Sequence, residues 1–128
     1  MRLWLSYFAF MSSVGLTNRT SDIWRSARVA DDIVSAFRAV PLGDPARRGL
    51  VRAMGLVAIQ MWCVSIVIAV SPWFAADDES PAAFWGYLSM AAVVVLLAVA
   101  VIEATVILYN RPRNLVAPHM RAERGVLR

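Results

Sequence analysis

Lysine is absent from this chain, and all thirteen of its basic residues are arginine. Cysteine occurs once, as Cys63 within an apolar run, so an internal disulfide is excluded and the thiol reads as a small buried hydrophobe. Histidine also occurs once: His119 lies near the C-terminus, with no cysteine or carboxylate at metal-ligand spacing, and no zinc or haem site is visible. No glycine-rich phosphate loop follows a strand pattern, and no Ser, His and Asp constellation can be assembled on the apolar segments. The sequence therefore predicts neither an enzyme nor a cofactor.

What the chain has in abundance is apolar surface. In 128 residues, 59% are hydrophobic and the mean hydropathy is +0.58, well above the globular range, which points to a membrane protein of at most one domain. A net charge of +4 and a pI near 10.2 would suggest nucleic acid in a soluble protein. Interleaved with long apolar segments, the same arginines serve topology and anionic lipid instead, so the expected partner is the bilayer and not nucleic acid.

Four pieces follow one another. In the first, MRLWLSYFAFMSSVGL, Leu3, Trp4, Tyr7, Phe8, Phe10, Met11 and Val14 share one arc of a helical wheel, as an interfacial helix would require. Its apolar stretch is shorter than the roughly 20 residues of a span, and it lacks the small-x-small cleavage site of a signal peptide. The second piece, residues 21–41, has Ser21 as its expected N-cap and Pro41 as its stop. Ile23, Ala27, Ala30, Val34 and Phe37 form an apolar stripe that Trp24, Ile33 and Val40 widen. That stripe requires either another protein helix or the headgroup layer to cover it.

The third piece starts at Asp44 as N-cap with Pro45 as the first helical residue, and carries no formal charge from residue 53 to residue 71. Ser80 and Pro81 repeat the device for a fourth helix that ends near Asn110, before Pro112. The fold class predicted is all-α integral membrane: a two-span transmembrane helical hairpin preceded by amphipathic interfacial helices. Residues 1–42 form the amphipathic part on the cytoplasmic side, residues 43–110 the hairpin, with spans about 50–71 and 82–109, and residues 111–128 a basic tail expected to be extended or disordered in isolation.

Arginines cluster at and before Arg52 and from Arg111 onward, whereas the loop SPWFAADDESP carries three acids and no base, so both termini are expected in the cytoplasm. Trp73, Trp85 and Tyr87 mark the outer interface, Tyr109 the inner one, and Trp4 and Trp24 anchor the amphipathic helices.

Within the spans the strongly polar side chains are Glu103 and Gln60. Assuming a symmetric hairpin, Glu103 lies level with Arg52, which predicts an intramembrane pair stapling the two helices. A proton relay would need a chain of such groups. The same register sets Gln60 opposite Val93, leaving its amide for a contact with another copy in a homo-oligomer. Ala100 and Ala104 supply one small-xxx-small pair for close packing.

The tail motif in YNRPRNLVAPHMR, residues 109–121, resembles the Arg-Pro-Arg-x-Leu-Val-x-Pro-x-x-Arg segment that follows the last span in small two-span membrane proteins of actinobacteria and their phages. The resemblance implies a phage or prophage membrane protein, for which a holin-like self-associating effector is the first expectation. An accessory subunit or interaction module of a larger membrane complex is the alternative.

Overall fold

The computed structural model describes residues 2–70 and 81–127. Four α-helices follow in order: α1 Arg2–Arg25, α2 Ala27–Ala36, α3 Asp44–Val70 and α4 Pro81–Tyr109. Short 3₁₀ turns occupy Phe37–Ala39, Arg113–Leu115 and Pro118–Met120, and no strand occurs among the described residues. Two helices, α3 and α4, are long and apolar enough to cross a membrane. The expectations resting on Trp73 and on the acidic loop fall outside the described residues.

Proline and aspartate start α3 as their chemistry dictates. Gly43 accepts the first helical bonds, from the Ala46 and Arg47 amides, while Asp44 pairs with Arg47 one turn on at 3.1 Å.

The boundary expected at Ser21 is not where the chain breaks. Helix α1 runs unbroken for 24 residues, about 36 Å, and ends only at Ser26, whose backbone is extended (φ −143°, ψ 120°). The reason lies in the hydroxyls. Ser13, Thr17 and Thr20 each donate back to the carbonyl four residues earlier, at 2.8 Å, so the helix interior satisfies them without a cap.

Helix α3 lies between α1 and α4, and both neighbours run antiparallel to it. On one side Thr20 meets Gly55, the Trp62 indole donates to Thr17 Oγ1 at 3.1 Å, and Ser13 and Ser65 hydroxyls lie 3.0 Å apart. On the other side Gly49 approaches Ile107 so closely that a Cβ at that position would stand 3.0 Å from the Ile107 side chain. Small residues line both seams: Ala9, Ser13, Gly49, Ala53, Ala58, Ser65, Ser89 and Ala92 are buried. The large ones face out, with Trp4 76%, Phe8 71%, Tyr87 72% and Val101 67% exposed.

The best-buried cluster sits at the end of the bundle where α3 begins and α4 ends. Ile23, Ala30, Val51, Leu56 and Val106 meet Val116, Ala117 and Met120 of the tail there, with Val29, Ile33, Val34 and Phe37 packed against them. The apolar stripe on α2 is thus covered by the protein's own core. Ala27, expected on that stripe, is exposed.

The tail is a folded cap packed against the helices, whereas the expectation of an extended or disordered segment concerned the tail in isolation. Its turns pass beneath the helices and return, the amides of Val126 and Leu127 donating to the carbonyls of Ile107 (3.4 Å) and Leu108 (3.0 Å). Composition counted its arginines and prolines correctly, but Val116 and Met120, spaced four apart, are enough to anchor it in the core.

Candidate functional site

Two polar constellations stand out, one between the long helices and one beneath them. In the first, the Gln60 amide lies beside the Glu103 carboxylate across the α3–α4 seam. Both residues are half-buried. This corrects one sequence expectation: Glu103 has no ion pair with Arg52. Gly49 meets Ile107 close to the register assumed for the hairpin, so the difference lies in side-chain direction, Arg52 turning to the tail. An amide already facing that carboxylate is also a poor basis for the oligomer contact expected of Gln60.

Arg52 belongs to the second constellation. It is 3% exposed, and its Nη1 donates to the Arg124 carbonyl at 3.0 Å, tying α3 to the tail. Glu123 is the carboxylate that faces it electrostatically, but Glu123 Oε1 accepts from Arg48 at 2.7 Å, and Arg48 also lies 3.5 Å from Asp31 of α2. Arg52 Nε and Nη2 have no acceptor among the described residues.

Asn110 closes the same cap. Sequence reading identified it only as the end of the helix, yet it is 3% exposed, and its left-handed backbone (φ 53°) turns the chain out of α4. Its Nδ2 contacts the carbonyls of Arg121 at 3.2 Å and Glu123 at 2.6 Å. The available signal was an asparagine placed after the last apolar turn and before an Arg-Pro pair. Within the tail motif Arg121 Nε donates to the Val116 carbonyl at 3.0 Å, and Pro118 opens the second turn, so the Arg-Pro-Arg-x-Leu-Val-x-Pro-x-x-Arg pattern encodes the cap itself.

The Arg48 clasp is partly solvated: its side chain is 44% exposed, Asp31's 64% and Glu123's 25%. Solvent-exposed pairs of this kind contribute roughly 0–1 kcal/mol. Arg48→Ala should therefore lower thermal stability in detergent by no more than about 1 kcal/mol; a loss several times larger would mean that the clasp, and not apolar burial, holds the tail.

Of the interface anchors, Trp4, Tyr87 and Tyr109 are well exposed, Trp24 is 39% exposed, and Trp85 is half-buried with its ring edge-on to Phe84 at 5.1 Å. Ala104 is exposed and Ala100 half-buried, so their small-xxx-small pair faces partly away from α3. Among the described residues no three His, Cys, Asp or Glu side chains come together as metal ligands.

No protein-family model, no curated protein and no solved structure matches this chain.

Proposed function

We propose that this chain is a non-enzymatic integral protein of the cytoplasmic membrane that acts by association within the bilayer, as a holin-like self-associating effector. The observation that carries the membrane reading is the packing along α3, where Ala9, Ser13, Gly49, Ala53, Ala58 and Ser65 are buried while Trp4, Phe8, Tyr87, Leu97 and Val101 face outward. In water those side chains would form an apolar patch far larger than soluble monomers tolerate. In lipid the packing is the expected one, because close backbone approach, and not apolar burial, holds the helices together.

The bilayer also changes how α1 is read. A helix aligned lengthwise with a spanning α3 shares its depth and cannot lie flat in the headgroup layer. Helix α1 then enters from the cytoplasmic side, where the arginine-rich tail cap and α2 reside, and carries Trp4 towards the outer face. The C-terminus keeps the cytoplasmic location expected from arginine placement; the N-terminus moves to the other side. A tag fused before Met1 should react with a membrane-impermeant reagent on intact spheroplasts, whereas one after Arg128 should react only once they are permeabilised. Protection of both tags would return α1 to the inner interface.

Self-association is supported by two unlike outward faces on separate flanks of α3. The aromatic face of α1 and the α4 face bearing Ala98, Val101 and Ala104 can meet head to tail between copies, a geometry that closes into rings or extends into arrays. The likeness of the tail to small membrane proteins of actinobacteria and their phages favours the same form. The alternative, an accessory subunit of a larger complex, draws support from the ordered cap, which presents a fixed arrangement of charges on the cytoplasmic side. Inducible expression separates them: arrest with leakage of small solutes, together with a ladder of crosslinked homo-oligomers, is expected of an effector, and harmless accumulation with no ladder would overturn that reading.

A further inference from the structure

Resting on the membrane reading, we infer that the junction of α4 and the tail is a binding site for one anionic glycerophospholipid of the inner leaflet. An open cleft of about 710 Å³ lies there, lined by Thr105, Tyr109, Arg111, Pro112 and Arg113. Both arginines are exposed, and among the described residues neither makes an ion pair and no carboxylate lines the cleft. Four other arginines at this end are used differently: Arg47 and Arg48 are paired with acids, and Arg52 and Arg121 donate to backbone carbonyls, while the exposed Arg124 does not line this cleft. Two full positive charges are thus held free at the depth where phosphates lie.

The surface above them is what distinguishes a lipid from a free anion. Val94, Leu97, Val101, Thr105 and Tyr109 recur at helical spacing on one side of α4, and all but the half-buried Thr105 are exposed. The strip from Leu97 down to Tyr109 is about 18 Å long at 1.5 Å per residue, close to the roughly 15 Å of one leaflet's hydrocarbon. An acyl chain laid along it brings its own phosphate to Arg111 and Arg113. The C-terminal end of α4 contributes roughly half a negative charge nearby, which opposes the anion, but two guanidiniums outweigh it.

The test uses the full chain in detergent, titrated with phosphatidylglycerol or phosphatidylcholine and read by native mass spectrometry of the retained lipid. One phosphatidylglycerol should be retained in preference to phosphatidylcholine. Arg111→Ala and Arg113→Ala should each weaken that retention about five-fold, and the double variant about twenty-five-fold. Arg25→Ala with Arg28→Ala, which removes as much charge elsewhere, should leave it unchanged. Leu97→Ser with Val101→Ser should weaken retention while both arginines stay in place. Equal loss with the Arg25 and Arg28 pair would show diffuse attraction and overturn the site. Displacement by inorganic phosphate, with no effect of the Leu97 and Val101 changes, would overturn the lipid assignment in favour of a free anion. Extraction of the parent chain from membranes by alkaline carbonate would sink the membrane reading itself, a result separate from any of these.

Discussion

Gly125→Val should eject the end of the tail from the bundle. A Cβ at that position collides with the carbonyl of Leu108 and with the Cα of Tyr109, both in the last turn of α4. Backbone of a packed helix cannot move aside as a flexible side chain can. The amide bonds from Val126 and Leu127 to that turn, and the Arg52 bond to the Arg124 carbonyl, must then be given up together. Overpacking of this kind costs about 2–3 kcal/mol, which raises the open fraction roughly thirty- to a hundred-and-fifty-fold. Limited trypsin digestion of the purified chain in detergent reads it directly, because Arg121 and Arg124 become cleavable while α3 and α4 stay whole. Gly15→Val is the control, since a Cβ there meets nothing within 4 Å. Equal protection of the Gly125 variant and the parent would mean that the tail does not pack against α4 as described.

The second large effect is expected at the α3–α4 seam. Gln60→Leu removes the amide beside Glu103 and should leave a carboxylate facing apolar surroundings, at a cost of a few kcal/mol in a bilayer. Glu103→Leu leaves only a neutral amide without its partner, worth about 0.6 to 2 kcal/mol in a membrane protein. Changing both to leucine should recover most of the larger loss, since it removes the stranded charge and the amide together. Thermal unfolding in detergent and steady-state accumulation measure the series. Arg52 supplies the discriminating comparison. Because it is bonded to the tail and not to Glu103, Arg52→Leu and Glu103→Leu should add with a coupling below about 0.5 kcal/mol. A coupling well above that would restore the Arg52 and Glu103 staple and refute the pairing with Gln60.

These two sites differ in how far they could be read from residues alone. Apolar runs of spanning length are local properties, and so is a proline at the first turn; the starts of α3 and α4 at Asp44 and Pro81, and their all-helical character, follow from them. Polar residues within α1 misled for an equally local reason. Ser21 offers a cap, but whether a helix stops there depends on what its hydroxyl-rich face packs against, and Ser13, Thr17 and Thr20 lie on the α3 seam. The aromatic arc from Trp4 to Met11 was legible as one face, while the surface it meets was not, since amphipathicity names no partner.

Which long side chains reach one another was decided by tertiary structure. A register counted along two helix axes does not say which way long side chains turn, and Arg52 turns to the tail while Gln60 lies beside Glu103. The tail shows the same limit more sharply. Charge and proline content describe residues 111–128 as a segment with little apolar surface of its own; Val116 and Met120 complete a core built by Ile23, Ala30, Val51 and Val106. The sequence alone determined that two apolar segments are long enough to cross a membrane and that arginines lie at their ends. Only the fold decided that α1 lies lengthwise beside α3, that Arg52 serves the cap, and that Glu103 lies beside an amide, because each depends on contacts between residues far apart in sequence.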